Sequence, residues 1–99
     1  MIDIQKSVEN GRAVIKASGR LDTVTAPEFE KAIKDSLPGL TELTLDFEDL
    51  EYVSSAGLRV LLSAQKVMNV QGSMKLIHVR EAVMEIFDVT GFTDILTIE

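Results

Sequence analysis

Cysteine and tryptophan are absent from the chain, and histidine occurs once. Without cysteine there is no disulfide framework, no thiolate zinc site, no iron–sulfur cluster and no thiol nucleophile. One histidine excludes a multi-histidine metal site and argues against a Ser-His catalytic triad. Positive charge is scarce too: ten basic residues face sixteen acidic ones, a net charge of -6. That balance is the wrong sign for nucleic acid, which selects a basic patch, and for an anionic membrane surface. No apolar run approaches the ~20 residues of a membrane span. The opening stretch MIDIQKSVENG lacks the apolar core of a signal peptide. The expectation is a cytoplasmic protein that binds neither nucleic acid nor membrane. A glycine-rich phosphate loop is also missing, because Gly19, Gly39, Gly57 and Gly72 are scattered.

What is present fits one globular domain over residues 1–99, with 45% hydrophobic and 26% charged residues. Ile2 and Ile4 alternate with polar neighbours as in a half-buried strand. Asn10-Gly11 marks a tight hairpin, and Ala13 to Leu21 is the return strand. Within it, Gly19 marks a bulge or a close backbone approach. Thr25-Ala26-Pro27-Glu28 reads as a capping box opening a helix whose apolar stripe is Phe29, Ile33 and Leu37. Pro38-Gly39 ends it. Leu43, Leu45 and Phe47 alternate as a strand, and residues 48–51 read as a short acidic connection. From Ser54 or Ser55 a largely apolar helix runs to about Val70. Met74 to Val79 is a further strand. Val83, Ile86 and Phe87 form a helical stripe closed by Gly91, and Ile95 to Ile98 reads as an edge strand. The order β-β-α-β-α-β-α-β implies an α/β fold, a mixed sheet of four or five strands with helices packed on it.

Two serines at a helix start have an ordinary explanation: one of them is the N-cap. The same outward-pointing amides and positive dipole end would also accommodate a phosphate on one serine. Asp22 by itself reads as a solvated loop carboxylate beside a cap, and Thr25 as that cap. Asp46, Glu48, Asp49 and Glu51 lack the fixed spacing of a calcium loop, so no metal or other cofactor is expected. His78 shares strand parity with Met74 and Leu76 and reads as a structural histidine. Met68 and Met74 read as core filler. No nucleophile has a base in a recognisable pattern, so the chain does not read as an enzyme.

The run Val53-Ser54-Ser55-Ala56-Gly57-Leu58, after an acidic strand and loop and before an apolar helix, resembles the signature of STAS domains. More narrowly, it is similar to that of bacterial anti-sigma factor antagonists. The segments Gly19-Arg20-Leu21-Asp22-Thr23-Val24-Thr25-Ala26 and Ile86-Phe87-Asp88-Val89-Thr90-Gly91-Phe92 are family-like as well, in the family order. Length and element order match, so the resemblance covers nearly the whole chain. It implies a partner-switching regulator. Unphosphorylated, such a protein binds an anti-sigma factor that is also a serine kinase and so frees the sigma factor. Phosphorylation at the start of the second helix ends the binding, and a PP2C-type phosphatase restores it.

The matching serine here is Ser55. The residue before it is usually aspartate in the family and is Ser54 here, which alters the local charge and offers a competing hydroxyl. The resemblance places Asp22, Thr23, Ser54 and Gly57 on the partner-binding face, and a monomer is expected. STAS-like domains also serve as accessory or sensory subunits of transporters and signalling complexes, without a phospho-switch.

Overall fold

The computed structural model describes residues 2–99. Strand β1 (Ile2–Glu9) and strand β2 (Arg12–Leu21) form an antiparallel hairpin. The turn has Asn10 and Gly11 at φ 50° and 79°, both left-handed, which suits the right-handed twist of the paired strands. Helix α1 (Ala26–Ser36), strand β3 (Glu42–Asp46), strand β4 (Leu50–Val53), helix α2 (Ser55–Gln71), strand β5 (Ser73–Ile77) and helix α3 (Glu81–Thr90) follow. A short 3-10 turn spans Phe92–Asp94.

The sheet runs β1-β2-β3-β5, with β3 parallel to both β2 and β5. Strand β2 serves two neighbours on one edge. Its first half pairs with β3, and its last residues pair in parallel with β4. The changeover lies at Gly19, where φ is 103°, the register shifts, and the amide reaches the Asp49 carbonyl at 3.0 Å. Of the two readings of Gly19, a bulge or a close backbone approach, the register shift fits the first.

Strict alternation along β2 and β3 makes the two sheet faces differ. Ala13, Ile15, Ala17, Leu43 and Leu45 are buried, with Met74 and Leu76 of β5. Phe29 and Ile33 of α1, Leu61, Ala64 and Met68 of α2, and Val83 and Phe87 of α3 complete this core. The other face carries Arg12, Lys16, Glu42 and Lys75, with an Arg12–Glu42 ion pair of 2.6 Å across the strands. Met68 and Met74 fill core as expected.

Several elements differ from the sequence pattern. The order is β-β-α-β-β-α-β-α. Residues 48–51 are not simply a connection, because β4 begins at Leu50. Leu50 and Val53 are buried and β2 offers them its second half, so long-range pairing overrides the acidic character of the segment. The closing segment makes one bridge, Leu76 to Ile98, because the chain first coils through Phe92–Asp94.

The capping box at α1 does not form. Thr25 is itself in the right-handed helical region (φ -93°, ψ -17°), and its hydroxyl makes no cap bond to the following amides. His78 does not follow strand parity. It leaves the sheet in a left-handed conformation (φ 56°), with an exposed ring 3.0 Å from Asp46.

Candidate functional site

Strands β2 and β4 end together, with Leu21 opposite Val53. The Ser54 amide donates to the Leu21 carbonyl at 2.8 Å. The turn into α1 and the turn into α2 therefore lie side by side, although thirty residues of chain separate them. This is the carboxyl end of parallel strands, where α/β sheets commonly place their sites.

The first turn is closed on itself. One Asp22 carboxylate oxygen accepts from the amides of Val24 and Thr25, each at 3.0 Å, and lies 3.2 Å from the Thr25 hydroxyl. The Thr25 hydroxyl accepts the Asp22 amide at 2.9 Å and donates to the Arg20 carbonyl at 2.8 Å. The Asp22 carbonyl takes the Ala26 amide at 2.8 Å. The Asp22 side chain thus holds the turn just before α1, while the Thr25 carbonyl takes the amides of Glu28 and Phe29 at 3.1 and 3.2 Å. The Thr25 amide holds the Asp22 carboxyl below its ordinary value; desolvation opposes this, and the Thr25 hydroxyl and Val24 amide add to it. Thr23 and Val24 project outward, Val24 with 86% of its surface exposed.

The second turn is open. Ser54 is extended (φ -89°, ψ 176°), and its hydroxyl oxygen accepts from the Gly57 amide at 3.4 Å, a long cap bond. Ser55 is the first residue of α2 and is exposed. Its hydroxyl makes no side-chain hydrogen bond among the described residues. Gly57, expected on the binding face, is buried instead. A Cβ there would lie 2.7 Å from Leu21 Cγ and 3.0 Å from Val53 Cγ1, so its lack of a side chain lets α2 seat against β2 and β4. An open groove of about 400 Å³ joins the two turns, lined by Thr23 and Pro27 on one side and by Ala56 and Arg59 on the other.

A family model described as the STAS domain matches residues 3–99. The chain belongs to the STAS domain family. Among curated relatives, BtrV of Bordetella bronchiseptica, assigned to the anti-sigma factor antagonists, is 32% identical over 90% of this chain and 78% of its own length. The anti-sigma-B factor antagonist of Bacillus subtilis is 29% identical over 85% of this chain and 78% of its own. These relatives are named as regulators rather than for a catalysed reaction. The Bacillus anti-sigma factor antagonist SpoIIAA shares the fold in its unphosphorylated form, with a TM-score of 0.83 at 20% identity over 98% of this chain and 88% of that one. In its phosphorylated form the TM-score is 0.75 at 19% identity, over 98% and 91%.

Not every motif of this STAS domain reaches the site. The segment 86–92 builds core: Phe87 is fully buried, and α3 packs against β4. The acidic stretch after β3 forms a separate cluster. Asp46, Glu48 and His78 bring potential ligand atoms within 4.8 Å of one another. The carboxylates of this stretch already have hydrogen-bond and ion-pair partners. Asp46 bonds His78, Lys16 lies 3.3 Å from Glu48 and 3.2 Å from Asp49, and Arg80 donates to the Glu48 carbonyl at 2.7 Å. Partial burial pushes the Asp46 carboxyl up, but the Glu48 amide and His78 outweigh it and the net displacement is downward.

Two site residues escape motif reading. Val24 is a β-branched side chain left in solvent, which only the structure reveals. Arg59 carries a signal in the sequence: it is the one charged residue in the first eleven positions of α2.

No helix is long and apolar enough to cross a membrane among the described residues.

Proposed function

We propose that this STAS domain is an anti-sigma factor antagonist whose surface around the α1 and α2 starts binds a kinase-type anti-sigma factor, and that phosphorylation of Ser55 ends the binding. The observation that carries this reading is the division of labour between the serines. Ser54 is spent on the cap, whereas the Ser55 hydroxyl is exposed and free of any such bond. Its neighbours Thr23 and Val24 supply contact surface, and Asp22 fixes the turn that presents them. Gly57 acts from beneath by seating the helix. In the transfer, Ser55 Oγ bonds the γ-phosphorus of ATP held by the kinase, ADP leaves, and the hydroxyl proton passes to a base of the kinase. A PP2C-type phosphatase hydrolyses the ester and restores the hydroxyl.

The switch is electrostatic. A small hydroxyl becomes a group of charge about −1.5 to −2. Carrying that into a dry interface without matched cations costs roughly 3 kcal/mol or more, over about a hundredfold in affinity. Incubation with the cognate kinase and ATP should add one phosphate, located on Ser55 by mass spectrometry. Ser55→Ala should stay unmodified and bind the kinase constitutively. A phosphate found only on Ser54 would move the site by one residue. No phosphate at all, with undiminished binding by Ser55→Asp, would end the proposal in favour of a STAS subunit that works without a switch.

A further inference from the structure

We propose that Arg59 is the intramolecular partner of the phosphate on Ser55, so that modification withdraws a cation from the docking groove as well as adding an anion. This rests on the reading of Ser55 as the modified residue.

Helix α2 is anomalous in charge. The chain carries a net charge of -6, yet the seventeen residues of α2 include no acid and two cations, Arg59 and Lys66. Three of the four arginines have a partner. Arg12 pairs with Glu42 at 2.6 Å, Arg80 with Asp49 at 3.8 Å, and the Arg20 guanidinium stacks on Tyr52 at 4.4 Å. Arg59 has no such partner among the described residues, and it is exposed. The acid that lines the groove and the one in the turn beside it are engaged elsewhere. Glu30, across the groove, lies 3.7 Å from Lys34, and Asp22 is folded onto its own loop amides.

Ser55 and Arg59 are four residues apart on one helix. That spacing puts their Cβ atoms about 5–6 Å apart on the same face. The order also counts, because an anion N-terminal to a cation is the favourable sense for such a pair. A guanidinium presents its donors as a planar fork that matches phosphate oxygens in pairs, and a long side chain one turn away can deliver that fork. The same spacing distinguishes the two serines. Four residues beyond Ser54 stands Leu58, which is buried, so a phosphate on Ser54 would find no cation there. Lys66 lies three turns from Ser55, out of reach.

Arg59 lines the groove between the helix starts. In the unmodified domain its guanidinium is available to an acidic group on a partner. Drawn back over residue 55, it is not. Phosphorylation therefore acts twice on the surface, through the charge it adds and the charge it engages.

The test uses the domain with phosphoserine installed at position 55 during synthesis, so its result depends on no kinase. The second ionisation of the phosphate is followed by phosphorus NMR, with Arg59 intact, in Arg59→Gln and in Lys66→Gln. Arg59 should hold the phosphate ionisation about 0.15–0.4 pH units below its value in Arg59→Gln. Lys66→Gln should match the intact protein, and the difference should collapse at about 1 M salt, where screening extends only ~3 Å. Melting curves of all three confirm a common fold. Equal ionisation with and without Arg59 overturns the proposal, even if Arg59→Gln weakens partner binding. A kinase that leaves Ser55 unmodified would instead count against the modification reading, and the NMR result would stand apart from it.

Discussion

Helices α1 and α2 begin next to each other at the ends of β2 and β4, and the two starts are built in opposite ways. At α1 the loop spends its polar groups on itself: Asp22 accepts two amides, and the Thr25 hydroxyl both accepts and donates within the turn. At α2 one serine makes a 3.4 Å cap bond and the next makes none. Yet the backbone at α2 is no looser, because buried Gly57 locks it against Leu21 and Val53. At α1 the polar groups that hold the start, those of Asp22 and Thr25, are not available for other bonds. A helix start held by packing from beneath can leave a hydroxyl free on its outer side, and that hydroxyl can be modified without dismantling the fold.

The largest effect expected from breaking this arrangement is at Gly57. Alanine, like every residue but proline, is favoured over glycine in a helix interior, by up to about 1 kcal/mol, so propensity alone predicts a gain. Contact decides otherwise, since the first added carbon already meets Leu21 at 2.7 Å inside a filled core. Gly57→Val should lose roughly 3 kcal/mol, the upper part of the range for overpacking. A denaturant titration giving no loss would show that the helix is not seated as described. Next in size is Thr25→Val, which removes the hydroxyl from a residue only 5% exposed. It strands the Arg20 carbonyl and the Asp22 amide, and should cost about 1–3 kcal/mol.

The sequence made most of this layout readable, with informative exceptions. Alternation in β2 and β3 and the stripes on α1, α2 and α3 identified the buried faces, because burial is a periodic property. Strand β4 was hidden because only Leu50 and Val53 mark it, and what makes it a strand is the bent second half of β2, far away in sequence. Thr25-x-x-Glu28 has the letters of a capping box, but the hydroxyl found better partners upstream in Arg20 and Asp22. The pattern is local, and the competing bonds depend on how the strand enters the turn. Ser54 and Ser55 were legible as a pair and indistinguishable as individuals. Their difference is a matter of which side chain points back at the Gly57 amide.

A third way to sharpen the contrast is by acid. The Thr25 amide is the main reason the folded Asp22 carboxyl sits below the ordinary 3.8, with the Thr25 hydroxyl and Val24 amide adding to it against desolvation. A carboxyl with a depressed folded pKa stabilises the fold fully above its unfolded pKa. That contribution is lost as pH falls through the folded value, because the unfolded chain binds the proton first. Wild type should therefore lose stability below about pH 4, where unfolded aspartates begin to take up protons. Asp22→Asn should be less stable at neutral pH and flatter in acid, the two melting curves converging as the pH drops. Some acid sensitivity should survive in the variant, since Asp35 and Asp46 are displaced in the same direction. Parallel melting curves for the two proteins across the acid range would show that the Asp22 network contributes nothing through its charge.

The smallest effects are the most discriminating, because they separate adjacent serines. Ser54→Ala removes an N-cap acceptor, which ordinarily costs about 0.5–2 kcal/mol. Its bond to Gly57 is long, so the loss should fall near the bottom of that range. Ser55→Ala removes a hydroxyl with no side-chain partner from an exposed first-turn position, where alanine is the better helix former. Stability should then change by less than about 0.5 kcal/mol, in either direction. Ser55→Asp should also melt close to wild type. The helix dipole favours a negative charge there by a few tenths of a kcal/mol, and nearby exposed acids oppose it through solvent that screens them. Chemical denaturation of the three variants beside wild type resolves differences of this size. If Ser55→Ala costs more than Ser54→Ala, the roles of the two serines are reversed. The second helix start would then use its hydroxyls for the fold just like the first, and a phosphate on Ser55 would have to break a bond that the fold needs.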